Sequence, residues 1–184
     1  MKSTTMVVFF LAALTDCSEK PSAPPVTTSS ASAPSAPATS SGEHGPGIDA
    51  PQGGLARGKV IFEGDRGDVP IDVEICQTDD QRRIGMMFRK SAADGTGMIF
   101  LMPQERVQQF WMRNTLIPLD MVFVGSDLSV VGVVADAEPL TLDGRDVGLP
   151  SRYVVELPGG YAARVGISVG SKMRAEGVPG IAAR

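Results

Sequence analysis

The chain has a single histidine, His44, in 184 residues, and it stands in a run of serine, alanine, glycine and proline. Histidine-based triads and histidine-built zinc sites are therefore excluded from any folded part. Cysteine is almost as scarce, with only Cys17 and Cys76. Two are too few for a disulfide framework, and joining them would tie a polar tail to a strand for little gain. Without a histidine to activate it, Cys76 reads as a buried free thiol rather than a nucleophile. An excess of positive charge is also missing, since 17 Lys and Arg stand against 21 Asp and Glu for a net charge of −4. Such a chain has no field to neutralise phosphates, so nucleic acid is not an expected partner. No phosphate loop, dinucleotide fingerprint or helical-hand calcium loop occurs, and neither cofactor nor metal is expected.

The amino terminus supplies the first positive signal. Lys2, the apolar run Met6–Leu14 and Cys17 have the layout of a secretion signal over residues 1–17, too short to remain as a membrane span. Leu14-Thr15-Asp16-Cys17 resembles a lipoprotein cleavage box, with Asp16 its one departure. Cys17 is thus the expected lipidation site and the membrane an expected partner through this anchor. Ser18 lacks the aspartate of an inner-membrane retention signal, which favours an outer-membrane lipoprotein on the periplasmic side of the envelope. Residues 18–56 are rich in Ser, Ala, Pro and Gly and read as a disordered linker that reaches about 35 Å as a coil. One domain is left, over residues 57–180.

Within it the patterning is that of short strands. GKVIFEG (58–64) and VPIDVEICQ (69–77) flank the turn DRGD and form a hairpin. Thr78 and Gln81 make a capping box for a helix over about 79–87. MIFLM (98–102) is a strand stopped by Pro103, residues 107–115 are another, and LDMVFV (119–124) resumes after Pro118. LSVVGVVADA (128–137) follows a hairpin loop, EPLTLDGRDVGLP (138–150) reads as a long loop, and SRYVVELPGG (151–160) as a strand before the helical turn YAARVGI (161–167). Many strands with one or two short helices predict a mainly β domain, an antiparallel sandwich or barrel.

Five blocks in order, IGMMFRK (84–90), GMIF (97–100), FWMRNTLIPLD (110–120), RYVVELPGGYA (152–162) and VGISVG (165–170), resemble the bacterial and archaeal family named domain of unknown function 192. The resemblance covers nearly all of residues 57–175. It implies a β-sandwich of jelly-roll type, often exported or membrane-tethered, and supplies no activity.

The candidate site must therefore come from the residues. In an extended 108–115, Phe110, Met112 and Asn114 share one face and Trp111, Arg113 and Thr115 the other. Trp111 and Arg113 offer an amphipathic surface that can meet a small molecule, glycan or protein, with Asn114, Thr115 and Asp120 beside the proline break. A structural reading is equally available, with Asn114 and Thr115 as turn residues and Asp120 as a cap or ion-pair partner. Arg89 either caps a helix end or enters the same groove, and Arg152 is a candidate ion-pair partner of Asp120. Catalysis by carboxylates would draw on Asp120, Glu138, Asp143, Asp146 and Glu156, provided two converge within about 5–9.5 Å. The methionines of the apolar blocks read as core filling rather than copper ligands. Three classes follow: a tethered binding module, a structural or assembly accessory, and a hydrolase of envelope polymers.

Overall fold

The computed structural model describes residues 50–182. The signal segment, Cys17 and most of the proposed linker lie outside the described residues. Seven strands, β1 (Ala56–Gly64), β2 (Gly67–Cys76), β3 (Thr96–Val107), β4 (Leu119–Val124), β5 (Val130–Ala137), β6 (Pro150–Pro158) and β7 (Met173–Glu176), form one sheet in the order β5-β4-β6-β3-β2-β1-β7. Two short helices, α1 (Asp79–Ile84) and α2 (Tyr161–Val165), complete it.

The domain is mainly β, but the sheet is mixed rather than antiparallel, because β2 and β3 run parallel with Asp72 opposite Thr96 and Cys76 opposite Phe100. Parallel neighbours need a long crossover, and residues 77–95, which include α1, provide it. Nor is it a closed barrel. The edge strands meet at one end only, where Ser129 bridges Lys172 and Met173 donates to the Leu128 carbonyl at 2.8 Å.

The central strands are covered on both faces, which is why LDMVFV is buried at all six positions. One face carries Phe62, Ile71, Val73, Ile99, Val122, Val155 and Leu157, closed off by Tyr161 and Ala162 of α2. The other carries Cys76, Met98, Phe100, Met121, Phe123 and Val154, and Met86 and Met112 cover it. Alternation thus assigns the two acids of the central strands to opposite faces: Asp120 beside Val122 and Val124, Glu156 beside Val154.

Two strand expectations require correction. Pro103 does not end β3, which continues to Val107, because Pro103 falls where the ladder to β6 is interrupted between Leu101 and Arg106 and no amide donor is required. Residues 108–115 are not a strand. Only Phe110 bridges, exchanging bonds with Arg145 at 2.9 and 2.7 Å, and Asn114 turns left-handed at φ +54°. With β3 already holding the place beside β6, this segment fastens instead to the 138–150 loop, through Met112 N–H to the Thr141 carbonyl and Leu140 N–H to that of Thr115.

Candidate functional site

Helix α1 begins as its sequence requires. Gln81 N–H donates to Thr78 Oγ1 at 3.2 Å, and Gln81 Oε1 accepts from Thr78 N–H at 3.0 Å. The helix ends at Gly85, whose φ of +50° and ψ of −130° suit glycine alone. A Cβ there would lie 3.1 Å from Phe100 Cζ and 3.7 Å from Glu156 Oε2. The missing side chain lets the backbone rest directly on the sheet beside these two groups. Phe88, at φ +62°, then donates its N–H to the Asn114 carbonyl at 2.8 Å and joins the turn after α1 to the 110–116 segment.

Between these two segments opens a groove of about 290 Å³. Its walls are Phe100, Phe110, Met86, Met87 and Met102; Trp111, 48% exposed, stands at its mouth with Gln109. Phe110 meets Phe100 edge to face at a centroid distance of 5.1 Å and Phe123 at 6.0 Å, which fixes the wall. Thr115 lines it as well, though it is buried and its N–H is bonded to the Met112 carbonyl. Glu156 also lines it, 5% exposed, with Oε2 buried and without a hydrogen-bond partner. Burial pushes its carboxyl up to about 8, against a downward pull from the Arg89 charge.

The predicted site residues divide accordingly. Trp111 and Thr115 belong to the groove. Asn114 holds the turn, with Nδ2 reaching Met87 Sδ at 4.0 Å, and Arg113 is exposed outside the groove lining. Asp120 faces the other side of the sheet, fully buried. Its Oδ1 accepts from Asp136 and Gly160 N–H and its Oδ2 from Ala162 N–H, each at 2.8 Å. It is a structural pin, and the proposed ion pair with Arg152 is absent because the two residues point to opposite faces of adjacent strands. Arg89 neither caps α1 nor enters the groove. It pairs with Glu74 in a separate cavity of about 460 Å³ between β2 and the turn after α1.

Glu156 is one of the five carboxylates that the sequence offers, and its place in the apolar run VVEL is the signal that singles it out. It is the only acid lining the groove among the described residues. Glu138, Asp143 and Asp146 are exposed on the 138–150 loop. Cys76 lies beneath, its thiol pushed up to about 12, chiefly by burial and then by the nearby Glu156 charge. The protonated Sγ donates to the Gln81 carbonyl at 3.4 Å.

Residues 60–175 match the model of the DUF192 family, described as "Uncharacterized ACR". The chain belongs to this family. Among solved structures, a protein of Sinorhizobium meliloti described as a proposed transcription regulator is 31% identical with a TM-score of 0.66. That match covers 69% of this chain and 99% of the other. A protein of unknown function from Novosphingobium aromaticivorans is 39% identical with a TM-score of 0.61, over 63% of this chain and 83% of the other. No curated protein matches the chain. These two proteins share the fold, and the groove of this DUF192 member must be interpreted from its own chemistry.

Proposed function

We propose that the protein is an exported binding module, lipidated at Cys17, tethered by residues 18–56 to the outer membrane on its periplasmic side, and that its folded domain takes a small ligand in the groove between Trp111 and Glu156. The supporting observation is the Glu156 carboxyl, whose buried Oε2 has no partner in the protein and whose outlet is a groove walled by aromatic rings. An unpaired buried polar atom costs stability unless something outside the fold uses it. Aromatic walls with one polar group at depth are the usual composition of a small-molecule site. A carboxylate-pair hydrolase gains no support, because no second acid lines the groove among the described residues. Transcription regulation, the role proposed for the Sinorhizobium relative, finds no support in an acidic chain of net charge −4.

Trp111 is the only tryptophan, so its fluorescence reports directly on the groove. A screen of envelope metabolites and glycan fragments should yield ligands that shift this emission and raise the melting temperature of the wild type. The gain in Tm should disappear in Trp111→Ala. Stabilisation that survives Trp111→Ala, or a screen with no stabilising ligand, counts against the groove. The anchor is tested separately by intact-mass measurement, which should show a mature chain beginning at a diacylated or triacylated Cys17.

A further inference from the structure

The depth of the groove is suited to one sign of charge. Glu156 lies across from Met98 of β3 and Met121 of β4, both fully buried, so neither neighbouring strand offers its carboxyl a side-chain donor. The nearer walls are the Phe100 and Phe110 rings and the Met86, Met87 and Met102 thioethers. Ring faces are negative and sulfur is polarisable, so both attract a cation without needing a hydrogen bond in return. Two arginines, Arg82 and Arg83, also line the groove, and both are already engaged. Arg82 donates to the Leu101 carbonyl at 3.0 Å and pairs with Asp79, and Arg83 pairs with Asp80 at 3.3 Å.

We propose that the groove binds an organic cation, a protonated amine or quaternary ammonium group, with Glu156 as its counter-ion and the aromatic rings as its side walls. This rests on the groove being a binding site, as argued above. The cation supplies a direct partner of opposite charge, which Arg89, held by Glu74, does not give Glu156. An anionic ligand would oppose ionisation of the buried acid, and a neutral one would leave the aromatic and thioether walls without their electrostatic attraction.

Protons are exchanged in the process. The charged and titratable groups around Glu156 are Arg89, itself paired with Glu74, the Cys76 thiol, and the paired Arg82 and Arg83. Burial outweighs the pull of Arg89, and the carboxyl titrates at about 8. Near neutrality the incoming cation therefore displaces the carboxyl proton to solvent. Since the ligand selects the ionised form, apparent affinity should rise roughly tenfold per pH unit below that value and level off above it.

Three probes of one shape test this on the full chain through Trp111 emission: cyclohexylammonium, cyclohexanol and cyclohexanecarboxylate. Alkylammonium groups stay charged to about pH 10, so the titration observed belongs to the protein. Cyclohexylammonium should bind at least tenfold more tightly than cyclohexanol at alkaline pH, and lose that advantage as pH falls and in Glu156→Gln. Should Glu156→Gln fail to fold, calorimetry of the wild type in buffers of different ionisation heat must show close to one proton released per ligand near neutral pH. Equal or tighter binding of the alcohol or the carboxylate, or cyclohexylammonium affinity independent of pH, overturns the cation while leaving the groove as a site. No response to any of the three at tens of millimolar overturns both.

Discussion

At Glu156, folding moves a carboxyl from water, where it ionises near 4.5, to a site where burial raises it to about 8. Between those values the folded state holds a proton that the unfolded state has lost. Stability must therefore fall as pH rises across this window, by at most about 1.4 kcal/mol per pH unit. The melting temperature of wild type should drop relative to Glu156→Gln from acid to mildly alkaline pH, and the two curves should run parallel above about pH 8. Curves parallel throughout would assign the carboxyl no such shift. Asp120, on the opposite face, has its two oxygens occupied by three backbone N–H donors. Asp120→Asn keeps the shape but replaces an acceptor with a donor facing an N–H, at a cost of roughly 2–3 kcal/mol. Urea unfolding should show this loss while Trp111 still responds to ligand in the folded protein. Loss of the response with stability unchanged would return Asp120 to the site.

The element that shapes the groove is the turn from α1 into Met86 and Met87, and its critical position is Gly85. A side chain there would have to adopt φ +50° and would press on Phe100 at 3.1 Å. Gly85→Ala should cost about 1–3 kcal/mol and narrow the groove where Glu156 reaches it, weakening ligand response beyond the stability loss. Unchanged affinity with lowered stability would make Gly85 structural only. Much of α1 was legible: the Thr78–Gln81 box fixes its start to the residue. Its end was not, because sequence periodicity continued through Met86 and Met87 while the left-handed turn at Phe88 is held by a partner, Asn114, distant in the chain. The same dependence explains residues 108–115. Their alternation placed Trp111 outward and Met112 inward as found, but whether such a segment pairs in a sheet depends on which neighbours are free. Asp120 and Glu156 show the limit most plainly. Each is an acid in an apolar strand, and only the register and the facing backbone distinguish the pin from the unpartnered carboxyl.

For the whole molecule, connection length was the readable clue that antiparallel patterning obscured. Between the strands 67–76 and 96–107 the capped helix lies in a connection long enough for the crossover that a parallel pair requires. The boundary of the domain also falls earlier than composition suggests. Gln52, within the segment assigned to the linker, donates from Nε2 to the Gly85 carbonyl at 2.9 Å and to that of Gln81 at 3.1 Å. A polar residue in a Gly- and Pro-rich stretch carries no periodic signal, yet here it satisfies the Gly85 carbonyl just past the end of α1 and adds a bond to the Gln81 carbonyl, which also accepts from Gly85 N–H. The same amide holds the backbone of Gly85, which lies against Glu156, so a residue ahead of β1 is bonded to the turn that borders the groove. A chain starting at residue 50 should therefore be more stable than one starting at 56 by roughly 1–2 kcal/mol, and Gln52→Ala in the longer chain should account for most of the difference. Urea midpoints measured with an unchanged slope would read this as stability alone. Equal midpoints would place the start of the folded unit at β1 and leave Gln52 without a structural role.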